Sequence, residues 1–543
     1  MSSPRPVEES SAQRFTRVTV VLPWDLDPTL AAFPRTPADG QLLVLETRAK
    51  VHALPFHRQK LTLIVSALRH FVEERRAAGF HVEHLVADDY ASGVEAFAGW
   101  ARPTSLHVTA PREFAIDARF RELARRLPLT IHDDGGAGGH FLITRSAFDA
   151  WAGTQRGPLR MDRFYPELRR SLGLLVDAKG KPEGGQWSFD VENRAHARGV
   201  KAPPIPWCEP DALTRRVMRW VAKVGAWGRL EPFGWPVTRT QALAWLDDFL
   251  THRLRDFGPY EDAIRSDERV LFHSLLSVPL NLGLLRPDEI ARAAAERYHR
   301  GEVSLASAEG FIRQIIGWRE FVRGVYWRLM PGLRTANQLD ARLPLPDFFW
   351  EPERTELQCV REAVSSVRDL GYTHHIQRLM VLSNYATLAG LEPRAVSHWF
   401  WAAFVDAYEW VELRNVVGMG LFATDAFTTK PYVASAAYLK RQSGLSAKGR
   451  GPAAAKHEAP CARCRFDPDQ RTGPDACPFN ALYWDFLARH RERLSRNVRM
   501  QQLLSTLDRF GPATVAEVRR TADAHRASLR PLVPGWRFDE DAG

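Results

Sequence analysis

The sequence predicts an α/β domain built on a parallel, doubly wound sheet, followed by a long linker and a large all-α domain. Three observations carry this reading. Short apolar runs with β-branched content alternate with a helical pattern over residues 15–145. Residues 146–235 turn rich in Gly and Pro, and helical periodicity dominates residues 236–543.

In chain order, residues 1–14 are polar and read as a disordered tail. RVTVVLP, LLVLET, HVEHLVAD, LHVTAP and LTIH then read as five strands. Between the second and third lies KLTLIVSALRHFVEERRAAG, an amphipathic helical pattern that ends in glycine. Neither GxGxxG nor GxxxxGK[ST] follows the first strand, so the usual phosphate-loop fingerprints are missing. GKPEGGQW, KAPPIPWCEP and PFGWPVTR mark the linker. Inside the helical part, residues 440–458 form a basic stretch rich in Gly, Ala and Pro, expected to be a flexible surface insertion.

Bulk composition narrows the class. Five cysteines in 543 residues exclude a disulfide scaffold and suit a reducing, cytoplasmic setting. The N-terminus lacks the apolar core of a signal peptide, and no segment approaches the ~20 apolar residues needed to span a bilayer. A net charge of +10 favours a polyanionic partner such as nucleic acid.

Four of the cysteines read as one metal site. Cys461, Cys464 and Cys477 lie in CARCRFDPDQRTGPDACPF, and Cys359 lies far upstream in TELQCVREAV. A CxxC brings two thiolates to one centre from a tight turn, and a distant fourth ligand staples the loop to another part of the fold. Iron–sulfur clusters accept such dispersed thiolates, and zinc is the rival. Cys208 has no cysteine neighbour and reads as an ordinary thiol.

Three helical segments concentrate unusual side chains. EGFIRQIIGWREFVRGVYW carries Arg313, Trp318, Arg319 and Trp327, which suit either stacking on an aromatic ligand or a core helix with snorkelling arginines. GYTHHIQRLMVLSNYATLAG carries His374 and His375 beside Arg378. Adjacent histidines on a helix diverge by about 100°, which disfavours one shared ion and suits proton donation. VSHWFWAAFVDAYEWVELRN carries Trp399, Phe400, Trp401, Phe404, Tyr408 and Trp410, an aromatic patch that is either core or an electron route.

These segments resemble the prokaryotic photolyases and cryptochromes that carry an iron–sulfur cluster. The resemblance runs from about residue 40 to 500 and is most specific at QWSFDVENR, FGPYEDA, HSLLS with LNLGLL, EGFIRQIIGWRE, THHIQRLM, DAYEWVE, TKPY and ACPFNALYWDFL. It implies an antenna-type α/β domain and a helical domain that binds FAD. It also implies a [4Fe–4S] cluster on Cys359, Cys461, Cys464 and Cys477. Tyr260, His273, Ser274, Ser277, Asn281, Arg313, Trp318, Arg319, Asp406 and Asn415 fall in the segments expected to enclose FAD. His374 and His375 match the histidines expected at a DNA lesion, Asp262 a carboxylate near that lesion or a divalent cation, and Trp399 a member of the flavin-reducing electron chain. The expected partner is UV-damaged DNA, with no membrane, and the chain is expected to be a monomer.

Departures from the family pattern matter too. Pro23 and Trp24 stand where the family's GDQL has glycine and aspartate, so Trp24 is expected to fill the pocket of a lumazine-type antenna. Glu46 still sits where an acid touching that antenna is expected. Ala423-Thr424-Asp425-Ala426 replaces an ADGG loop, Arg414 replaces a proline, and Phe400 is a weaker redox partner than Tyr or Trp. Two functions follow: light-driven repair of (6-4) pyrimidine photoproducts, favoured by the histidine pair, or a blue-light photoreceptor signalling through a protein partner, favoured by these departures.

Overall fold

The computed structural model describes residues 15–193, 195–426, 430–445 and 459–531. The tail at 1–14 and most of the basic insertion, including Lys448, Arg450 and Lys456, lie outside the described residues.

Five strands form one parallel sheet: β1 (Arg17–Val21), β2 (Gln41–Thr47), β3 (Val82–Ala87), β4 (Ser105–Thr109) and β5 (Leu129–His132). Their order is β3-β2-β1-β4-β5. Registers such as Val20 opposite Leu43 and Val108 keep β-branched and leucine side chains buried in the central strands. The order reverses between β1 and β4, and ligand crevices of such sheets open beyond the carboxyl ends of the strands at that reversal.

The helix Arg58–Ala77 crosses from β2 to β3 and also docks the helical domain. Its N-cap, His57, accepts a bond from Gln59 N at Nδ1, and its Nε2 lies 2.9 Å from Arg368 O. A carbonyl only accepts, so Nε2 is the protonated nitrogen. Gly228 passes directly over this ring with φ +77°, and a Cβ there would sit 2.1 Å from Nε2. Buried charges tie the two parts elsewhere. Arg323 of helix Arg319–Leu329 pairs with Asp134 after β5, and its guanidinium lies 4.4 Å from the Phe141 ring.

The Gly- and Pro-rich stretch is more than a tether, because it holds the helices Met161–Leu172 and Ala212–Val221. Beyond it the chain is helical. Among the described residues, four helices there contain π-helical segments: Phe249–Arg253, Arg313–Trp318, Gln377–Ser383 and Arg414–Gly420. Such widened turns cluster at functional sites. No helix among the described residues is long and apolar enough to cross a membrane.

Candidate functional site

The helical domain brings together side chains from segments more than a hundred residues apart. His374 and His375 lie at the start of the helix that leads into Gln377–Ser383, where the His374 carbonyl accepts from Gln377 N and Arg378 N. The two rings diverge, with centroids 6.4 Å apart. His273 stands between them. Its ring stacks on His374 at 4.7 Å and 19°, and its Nε2 lies 3.1 Å from His375 Nδ1. On the other side, His375 Nε2 lies 3.4 Å from Asp262 Oδ1.

Burial governs the charges here. It drives the His273 pKa down to about 3 and His374 well below its ordinary value. For His375, whose side chain is 46% exposed, desolvation also lowers the pKa, but the hydrogen bond it donates to Asp262 and the charges of Glu261 and Asp262 outweigh it and raise the result. Glu261, buried beside Asp262, is pushed up to about 7 by desolvation. Both ring nitrogens of His374 are buried without a hydrogen-bond partner. One nitrogen from each histidine lies within 4.8 Å of the others, a spacing a transition-metal ion can use, although the His273–His375 contact already engages two of them.

A second cluster centres on Asp406. Arg378 donates to both its carboxylate oxygens at 3.1 Å, Ser277 donates to Oδ2 at 2.7 Å, and Asn281 donates to its carbonyl at 3.0 Å. Glu412, buried nearby, is pushed up to about 7 by desolvation. The other expected residues sit around these groups less uniformly. Arg313 pairs with Asp190 of the linker and with Glu309. Trp318 faces Arg414, whose guanidinium is 5.4 Å from the ring and also reaches Asn415 Oδ1. Tyr260 packs on Phe272, and Ser274 accepts from Leu276 N. Arg319 turns to the sheet domain, bonded to Glu320 and lying 4.2 Å from the Phe141 ring. Trp399 is fully buried, donates to Phe349 O at 2.8 Å, and touches the rings of Phe349, Phe400 and Phe404.

Sequence reasoning passed over Glu261 and Glu412, although both stand inside quoted motifs (FGPYEDA and DAYEWVE). Their signal was an acid next to residues already singled out.

The four cysteines converge. Cys359 opens helix Gln358–Leu370, Cys461 lies in the short turn Pro460–Ala462, and Cys477 caps helix Pro478–Arg489. Burial and one another's charge push the thiols of Cys359 and Cys477 well above their ordinary range. Asn480 holds the intervening loop through Pro468 O and Gln470 O and accepts from Ala436 N.

At the carboxyl ends of β1–β3 a cavity of about 320 Å³ is lined by Pro23, Trp24, Glu46, Lys60, Tyr90, Trp401 and Tyr408, among others. Trp24 therefore forms one wall of this space and does not close it. Trp24 Nε1, Glu113 Oε1 and Tyr408 Oη are buried there without partners. Glu46 is engaged by Arg69 and His84, whose hydrogen bonds hold its carboxyl down at about 2 against the effect of burial.

A curated relative from Agrobacterium fabrum, described as a (6-4) photolyase, is 38% identical over 526 residues, covering 95% of this chain and all of the relative. The chain belongs to the photolyase family. The family described as deoxyribodipyrimidine photo-lyase-related protein matches residues 19–235 of this member. Its fold is that of a bacterial class III photolyase from Agrobacterium tumefaciens (TM-score 0.54, 17% identity, 80% of this chain and 86% of that one). A cryptochrome from Synechocystis shares it equally (TM-score 0.54, 14% identity, 96% and 100%).

Proposed function

We propose that this chain, with FAD bound, uses blue light to repair (6-4) pyrimidine photoproducts in DNA, with His375 donating the proton at the lesion. The observation that carries the reading is the run of side-chain contacts from Asp262, 3.4 Å from His375 Nε2, through His375 to His273, set in a chain so close to a (6-4) photolyase. A (6-4) product requires a proton to move while oxygen returns to its original ring, and a carboxylate-backed histidine suits that task.

FAD supplies the light-driven electron when bound. The residues present fit it. The Arg378–Asp406 pair offers a donor and an acceptor, Ser274 and Ser277 offer hydroxyls, and the unpartnered nitrogens of His374 call for a polar neighbour. Tyr260, Asn281, Arg313, Trp318 and Asn415 would complete the enclosure, and Trp399 would relay replacement electrons. A lesion reaches such a site only when flipped out of the duplex, which its weakened pairing favours. The net charge of +10 suits the phosphate backbone.

Four convergent thiols fit a [4Fe–4S] cluster, whose core would stabilise the thiolates that burial disfavours. The cavity beside Trp24, with its unpartnered donors and acceptor, fits a lumazine-type antenna.

The test is single-turnover illumination of the reduced, FAD-loaded protein with an oligonucleotide carrying one (6-4) product. Restored thymines are expected. No restoration with FAD demonstrably bound would overturn repair in favour of the photoreceptor reading.

A further inference from the structure

The resemblance sets His273 among the residues enclosing FAD, yet its ring lies against both histidines of the candidate lesion site. Its partners determine where protons sit. The Val270 carbonyl lies 2.9 Å from His273 Nδ1 and can only accept, so that nitrogen carries hydrogen. His273 is buried and stays neutral, which leaves Nε2 bare. The 3.1 Å contact from Nε2 to His375 Nδ1 therefore requires a hydrogen on Nδ1 of His375. At His375 Nε2, Asp262 likewise can only accept. One backbone carbonyl thus fixes the tautomers of two rings in succession.

The backbone around His273 is itself constrained. Leu271 and Leu275 flank it with φ of 51° and 59°, and both are buried. Non-glycine residues held in the left-handed region cost of order 1–3 kcal/mol each and concentrate where geometry is functional.

We propose that His273 is the positioning residue of the proton donor: it holds Nδ1–H on His375 in both protonation states, so that Nε2 is the only nitrogen that loses and regains the transferred proton. In the step itself the Nε2–H bond breaks, a bond forms between that hydrogen and the lesion oxygen, and the neutral ring left behind keeps its Nδ1–H. On return of the proton the same nitrogen is refilled, with no ring flip or tautomer exchange. The groups facing His375 are Asp262 and Glu261 from the turn after helix Leu254–Tyr260, His273 from the Val270–Leu276 segment, and His374 and Arg378 from its own segment. Only His273 and Asp262 make hydrogen bonds or ion pairs to its ring among the described residues.

This inference rests on the repair reading, and the experiment separates the two. In the FAD-loaded protein, His273→Phe removes the acceptor, whereas His273→Gln keeps an acceptor near the ε position. Loss of the acceptor makes the His375 imidazolium easier to deprotonate. Single-turnover repair by His273→Phe should then fall about tenfold at pH 8, the effect of roughly one pKa unit. It should stay within about twofold of the parent at pH 5.5, and His273→Gln should recover most of the loss. A loss equal at all pH values, or no loss in His273→Phe, would overturn the inference while leaving repair intact. If the parent protein repairs nothing, the tautomer remains measurable. Nitrogen-15 spectra of histidine-labelled protein, with His375 assigned by His375→Asn, should show Nδ1 protonated across the titration in the parent and not in His273→Phe. A bare Nδ1 in the neutral parent would overturn the inference independently.

Discussion

Asp262 and Glu261 outweigh the desolvation of His375, whose side chain is 46% exposed, and make it hold its proton longer. Because the pKa is raised, the charged form is complete below the ordinary value of about 6.5 and is lost only as pH rises through the higher, folded value. Asp262→Asn removes that support. The alkaline limb of the repair profile should move to lower pH, and repair at pH 8 should fall several-fold with little change at pH 5.5; rates of repair against pH check this. The adjacent histidines and Asp262 were legible in the sequence because they lie in quoted motifs. The link to His273 was not, since 102 residues separate the partners and nothing local encodes a contact between side chains. Arg319 illustrates the reverse case. Its motif groups it with flavin-facing residues, but which way a helical side chain points depends on the rotation of the helix, and here that rotation aims it at Phe141.

At the scale of elements, the five strands follow directly from β-branched runs, because a buried parallel strand has no polar alternation to obscure it. The linker helices were hidden, since Met161–Leu172 and Ala212–Val221 are short and stand between Gly and Pro clusters that dominate any local reading. The π-helical segments leave no periodic trace either. A single widened turn inserts one residue and breaks the 3.6-residue period over too short a stretch to be told from an ordinary irregularity, and only the hydrogen bonds reveal it. The loop that ends at Cys477 belongs to this scale as well. Its long excursion is held by Asn480 and closes on Cys359 from another helix. Cys359→Ser should abolish the iron and sulfide content and the visible cluster absorption. Melting temperature should fall at the same time, because metal binding free energy is folding free energy for such a loop. Metal analysis and thermal denaturation of the same sample check both, and stoichiometric zinc in the parent protein would assign the site to zinc.

Across the whole molecule, the sheet and helical parts meet through buried charge as well as apolar contact. Arg323 reaches from the helical part to Asp134 after β5, with Arg145 on the same carboxylate at 3.2 Å. Both Arg323 and Asp134 are essentially inaccessible to solvent. Asp134→Asn would leave two guanidinium groups facing a neutral amide, and removing one partner of a buried pair typically costs about 3–5 kcal/mol. Urea denaturation should show an unfolding free energy lowered by that amount, whereas replacing an exposed pair such as Arg342–Asp340 should lower it by less than about 1 kcal/mol. The family membership that organises this architecture was readable because long motifs occur in order along most of the chain. The openness of the cavity beside Trp24 was not, because a large residue in a pocket motif can line the space or occupy it, and only its rotamer decides.

The turn Asp406–Tyr408 lies between the Arg378–Asp406–Ser277 cluster and the cavity beside Trp24. Asp406 meets Arg378 and Ser277 on one side, while Ala407 and Tyr408 line the cavity beside Trp24 on the other, and the Ala407 carbonyl accepts from Lys60 at the cavity wall. Any ligand that displaces this turn from one side would be felt on the other. Whatever factor a ligand in the sheet-domain cavity imposes on binding at Asp406 by displacing the turn, a ligand at Asp406 must impose in return, by the reciprocity of coupled equilibria. If the turn moves, the two sites would then be thermodynamic neighbours as well as spatial ones.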